Sequence, residues 1–124
     1  MINYIRTDYA EIYLENGILF FNYFNIPNFD LKAAKKIVDD RISLQKEKAY
    51  PILCDMSAIN YPDIEARKYL AFEGSLLIKA VAYIVAMDIP NHLLDFFIEV
   101  NPPRVPTKIF YQRDKAIEYL QHYK

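Results

Sequence analysis

Residues 9–14 mix apolar and polar positions, and the run from Ile18 to Ile26 is apolar on both faces over its first half. Between them stands Glu15-Asn16-Gly17. Asn-Gly supplies the two positive-φ positions that a tight turn demands, so the two runs predict a β-hairpin. Pro27-Asn28-Phe29-Asp30 then breaks the returning strand. Leu31, Ala34, Ile37, Val38 and Ile42 recur at helical spacing, with Lys32, Lys35, Lys36, Asp39 and Asp40 opposite. That spacing predicts an amphipathic helix capped by Asp30 and reaching about Glu47, its charged side a solvated surface.

The run Pro51-Ile52-Leu53-Cys54 ends in Asp55-Met56-Ser57, crosses a polar loop and enters a helix near Pro62-Asp63. A strand over 51–55 and a helix over about 63–78 follow, with Pro51 placed at the strand's first position, where it costs no ladder hydrogen bond. In the helix, Gly74 is read as a point of close packing. Residues 80–87, AVAYIVAM, form an apolar run of strand length between two helices. Such a run is what a strand buried on both faces of a parallel sheet looks like. After Asp88-Ile89-Pro90-Asn91, residues Leu93, Leu94, Phe97, Ile98 and Val100 suggest a third helix, which Asn101-Pro102-Pro103 must end. A last strand over 106–111 and a last helix over 113–123, packing through Ala116, Ile117 and Leu120, complete the chain. The order β-β-α-β-α-β-α-β-α predicts an α/β domain over residues 1–124, an N-terminal β-hairpin followed by three βα units. Its sheet is mainly parallel with the opening strand antiparallel at an edge.

Asp55-Met56-Ser57-Ala58-Ile59-Asn60-Tyr61-Pro62-Asp63-Ile64 follows the front of the segment that closes the corresponding strand in anti-sigma-factor antagonists and STAS domains. With its leading hairpin and strand-helix units, the chain resembles this SpoIIAA-like superfamily. The closing segment, Thr107 through Leu120, also looks like that of small bacterial proteins grouped with STAS and SEC14-like domains. In the family a serine at the helix start is phosphorylated to switch partner binding. Here Tyr61 and Pro62 stand where the serines belong, Asn60 where an acidic residue is usual, and Asp63 where the glycine belongs. The resemblance implies a cytoplasmic module without catalysis, its partner unspecified; Ser57 and Tyr61 are the remaining candidates for modification.

Composition narrows the functional classes. Hydrophobic residues are 53 % and charged residues 25 % of the 124, which excludes disorder and gives a core that needs no staple. The 15 basic and 16 acidic residues are interspersed, leaving no footprint for nucleic acid or anionic lipid. Two glycines, Gly17 and Gly74, are too few for a phosphate-cradling loop. Cys54 is the single cysteine, read as a core residue and consistent with a reducing compartment. The start has no secretory layout, and no run approaches the roughly 20 apolar residues of a membrane span. His92 and His122 stand far apart with no ligand spacing, so neither metal nor cofactor is expected. Ser43, Ser57 and Ser75 have no positioned base, so no enzyme activity is expected either. A receiver-type role for Asp55 lacks the acidic pair and the lysine after the last strand.

If the later strands are parallel, Asp55, Ser57, Asp88 and Arg113 approach one rim of the sheet beside a helix N-terminus. There they form either a docking site or a set of side chains that bond loop backbone and cap helices. The interaction loop under the first reading comprises Asp55, Ser57, Asn60, Tyr61 and Asp63, with Asp88 and Arg113 alongside. Eleven tyrosines and eight phenylalanines are many for one core of this size. If most helices cover one face, Leu19 to Tyr23 leaves a row of rings uncovered, and a homodimer is the expected use of such a surface. The sequence thus points to a protein-interaction module with an unidentified protein partner. The alternative is a SEC14-like carrier of a small apolar ligand, which requires an internal cavity lined by Phe, Tyr and Leu.

Overall fold

The computed structural model describes residues 3–58, 62–73, 76–88 and 105–124. They form a six-stranded sheet in the order β1 (Tyr4–Arg6), β2 (Ala10–Glu15), β3 (Ile18–Tyr23), β4 (Tyr50–Asp55), β5 (Ile78–Ile84) and β6 (Thr107–Phe110). The second strand runs antiparallel to both its neighbours, β1 and β3, and β3 through β6 run parallel. Helices α1 (Leu31–Gln45), α2 (Ile64–Phe72) and α3 (Arg113–Leu120) complete the described fold, with a short 3-10 turn at Gln121–Tyr123.

Alternation along each strand divides the core between two faces. On one, Ile12, Leu19, Phe21 and Ile52 meet Ala33, Ala34, Ile37 and Leu44 of α1 and Ala66 of α2. On the other, Ile18, Phe20, Leu53, Ala80, Ala82 and Ile84 meet Ala116 and Leu120 of α3. Strands buried on both sides in this way need continuous apolar runs, which is why 18–21 and 80–84 carry no alternation.

The local signals act as their chemistry dictates. Asn16 and Gly17 both take positive φ, 53° and 79°, in the hairpin turn. The carboxylate of Asp30 accepts from the Ala33 amide at 3.0 Å and caps α1. Pro51 lies inside a central strand and not at its first residue; a register shift between Tyr50 and Pro51 absorbs its missing N–H.

Four further expectations are corrected. A strand stands outside the predicted hairpin: β1, three residues long, pairs with β2 and becomes the edge. The strand β3 ends at Tyr23, not Ile26, because the chain turns inward there and buries Ile26 and Phe29 against α1. Helix α2 ends at Phe72 and β5 begins at Ile78, where the pattern had carried the helix to 78 and started the strand at 80. Side chains of α1 hold the backbone just ahead of β5. The Gln45 amide donates to the carbonyls of Lys48 at 2.9 Å and Leu77 at 2.8 Å, and Arg41 Nη1 donates to the Leu76 carbonyl at 2.9 Å and to Gln45 Oε1. With those carbonyls held by side chains and Leu77 at φ 59°, the backbone enters β5 at Ile78, two residues before the apolar run had placed the strand. Fourth, Phe20 and Phe21 are not an uncovered row, being 5 % and 1 % exposed, since helices cover both faces of the sheet. Gly74 and the third helix expected over 91–100 lie outside the described residues.

Candidate functional site

Parallel pairing of β3 with β4 sets Asn22 beside Asp55, and the chain leaves β6 to begin α3 at Arg113. Three segments distant in sequence thereby meet at the carboxyl rim. The Arg113 guanidinium lies over the Phe20 ring, 5.2 Å from its centroid. From there Nη1 donates to Asn22 Oδ1 at 3.3 Å, Nη2 donates to the Tyr13 hydroxyl oxygen at 3.1 Å, and Nη1 stands 3.6 Å from Asp55 Oδ2. Tyr13 stacks on Phe20 at 4.9 Å between centroids, so the planar cation and two rings form one layered group. Asp55 is held from its other side, where Oδ1 accepts from the Ser57 amide at 3.1 Å and the Ser57 hydroxyl at 2.7 Å. Ser57 itself is exposed.

The remaining candidates divide. Asp63 caps α2, accepting from the Ala66 amide at 2.8 Å, and its own N–H donates to the Phe29 carbonyl at 2.9 Å. Asp88 is exposed beyond β5, and no hydrogen bond or ion pair links it to Asp55 or Arg113. Asn60 and Tyr61 lie outside the described residues. Tyr13 and Asn22 are members of the cluster that sequence reasoning missed, because only strand register brings them to Arg113. Three large apolar side chains stand exposed on this rim. Ile64 opens α2, Met87 follows β5 and Tyr111 follows β6, with exposures of 56 %, 84 % and 49 %.

Among the described residues no group of three His, Cys, Asp or Glu side chains gathers as a metal site. Cys54 is partly exposed as a residue, yet desolvation of its thiol outweighs the pull of nearby Arg41 and pushes its pKa up to about 12, leaving a protonated, unreactive group. A groove of about 420 Å³ runs along the sheet edge, lined by Asn3, Tyr4, Glu11, Tyr13, Leu14 and Glu15. It is open and carries two carboxylates, unlike the enclosed apolar cavity that a lipid carrier requires. No described helix is long and apolar enough to cross a membrane.

The model of a domain of unknown function, DUF7793, matches residues 12–124. The chain belongs to this family. This DUF7793 protein is also similar in structure to an uncharacterized protein of the DUF3478 family from Shewanella loihica PV-4, whose crystal structure has a SpoIIAA-like fold. The two share 14 % identity and a TM-score of 0.63, over 90 % of this chain and 91 % of the other. None of the curated proteins compared with the chain matches it. The fold is SpoIIAA-like, as the leading hairpin with its strand-helix units and the Asp55-Met56-Ser57 segment had implied.

Proposed function

We propose that this DUF7793 protein is a protein-interaction module of STAS-like type, without catalysis, that docks its partner at the carboxyl rim of the sheet. One observation carries the reading: Ile64, Met87 and Tyr111, exposed apolar anchors, share the rim with a pre-ordered polar group built on Arg113, Asp55 and Ser57. Apolar anchors beside fixed charge are the anatomy of a recognition surface. The Arg113 guanidinium is already stacked and oriented, so binding loses little side-chain entropy there. Because Ser57 bonds the same carboxylate that faces Arg113, modification of its exposed hydroxyl would change the charge pattern seen by a partner. Tyr61 is the second candidate for such modification.

The test is affinity capture from native extract, with Met87→Asp, Tyr111→Asp and Arg113→Glu compared against the wild type. Leu76→Asp serves as control, since Leu76 is exposed at the opposite rim. A partner lost in the three rim variants and retained by Leu76→Asp supports the reading. A partner retained by all of them, or lost only in the control, refutes it.

A further inference from the structure

We propose that the outer edge of β1 pairs antiparallel with β1 of a second copy of this chain, centred on Ile5, joining two sheets into one. The backbone directions come from the β1–β2 ladder. Leu14 N–H donates to the Asn3 carbonyl at 3.0 Å and Thr7 N–H donates to the Ala10 carbonyl at 2.9 Å, with Ile5 opposite Ile12. Alternation in an antiparallel ladder then turns the amides and carbonyls of Asn3, Ile5 and Thr7 toward β2, and those of Tyr4 and Arg6 outward. The edge therefore presents two donors and two acceptors, on the residues flanking Ile5. A two-fold axis through Ile5 sets Tyr4 of one copy opposite Arg6 of the other, and all four hydrogen bonds of the two pairs can form.

The side chains are self-complementary in the same register. Tyr4 and Arg6 lie on one face, where Tyr4 donates to Glu11 Oε2 at 2.6 Å and Arg6 stands 3.9 Å from that oxygen. Pairing about Ile5 continues the row across the seam: Tyr13 and Tyr4 of one copy, then Arg6 and Glu11 of the other. A cation meets a ring stacked on a second ring, at 6.4 Å between centroids, and the arrangement occurs twice by symmetry. The edge is short and carries the charge of Arg6, but it has no proline and no bulge to block such pairing. Tyr4, 47 % exposed, is the large apolar group that this contact would cover. On the other face, α1 lies against β1 and β2. With strands about 4.8 Å apart, two such helices flanking the seam come to roughly 10 Å, a helix-packing distance. A three-residue ribbon is short, so the dimer is weak and concentration-dependent.

Sedimentation of the full chain from micromolar to millimolar concentration is expected to show a species of twice the 14.7 kDa of one chain. Tyr4→Pro removes an outward N–H together with the Tyr4 ring at the seam, while the backbone bonds of the β1–β2 ladder stay intact, and is expected to weaken the dimer by at least roughly ten- to a hundredfold, the equivalent of the two backbone hydrogen bonds alone. Ile5→Cys, in a Cys54→Ala background, places two thiols across a non-hydrogen-bonded pair at a Cα separation of about 4.5 Å, within disulfide range, and is expected to cross-link on oxidation. A monomer throughout the concentration range overturns the proposal. So does a dimer that Tyr4→Pro leaves unchanged and Ile5→Cys does not trap.

Discussion

Replacing Gln45 with alanine tests how α1 holds the backbone at the entry to β5. Gln45 is 1 % exposed, and its amide satisfies the carbonyls of Lys48 and Leu77 while its oxygen accepts from Arg41. Truncation removes two neutral hydrogen bonds at about 1 kcal/mol each and one charge-assisted bond at about 1.5–3 kcal/mol. The Leu77 carbonyl keeps a bond from the Tyr50 amide at 3.3 Å, which softens the loss, so about 3–5 kcal/mol is expected. With a urea slope of about 1.5–2 kcal/mol/M, the midpoint of unfolding should fall by roughly 2 M. Gln45→Glu sharpens the test. It strengthens the attraction to Arg41 but sets carboxylate oxygen against two carbonyls, so it too should destabilise, by about 2 kcal/mol or more. A midpoint within about 0.5 M of wild type for Gln45→Ala, or a Gln45→Glu variant more stable than wild type, would refute the argument.

Two further predictions concern charge and backbone. The Cys54 thiol, pushed by burial from 9.0 to about 12, keeps its proton in the folded state after the unfolded chain has lost it. The folded state thus binds more protons between those values, and stability falls as pH rises from about 9 to 12, by up to about 1.4 kcal/mol per unit; urea titrations of wild type and Cys54→Ala across this range should diverge, and parallel curves would count against it. Lys46 closes α1 with φ 51° on an exposed side chain, a conformation that costs a non-glycine residue about 1 kcal/mol. Lys46→Gly should therefore raise stability by several tenths of a kcal/mol in calorimetry, the gain being reduced by glycine's greater freedom when unfolded; a loss of 1 kcal/mol would contradict this reading.

The parallel centre of the sheet was legible because burial on both faces leaves unbroken apolar runs, and Asn16-Gly17, Asp30 and Asp63 carry their turn and cap chemistry in their own side chains. Strand β1 was not legible, since three residues hold no period to read. The start of β5 was hidden for another reason. Arg41 and Gln45, more than 30 positions away, hold its backbone; they lie on the same buried face of α1 as Ala34 and Val38, but as polar residues they gave no sign of it. In the site, Asp55 and Arg113 could be foreseen because parallel strands send their exits to one rim. Tyr13 and Asn22 could not, because their places depend on the register of β2, β3 and β4.

The bond from Arg113 to Tyr13 spans 100 positions, and that from Arg113 to Asn22 spans 91. Contacts so remote close late in folding, after the intervening chain has collapsed. During synthesis the first hairpin therefore emerges with one side of Phe20 bare and waits for the final helix to arrive. A ribosome stalled short of residue 113 would hold a nascent chain whose Phe20 has not yet received its cover from Arg113.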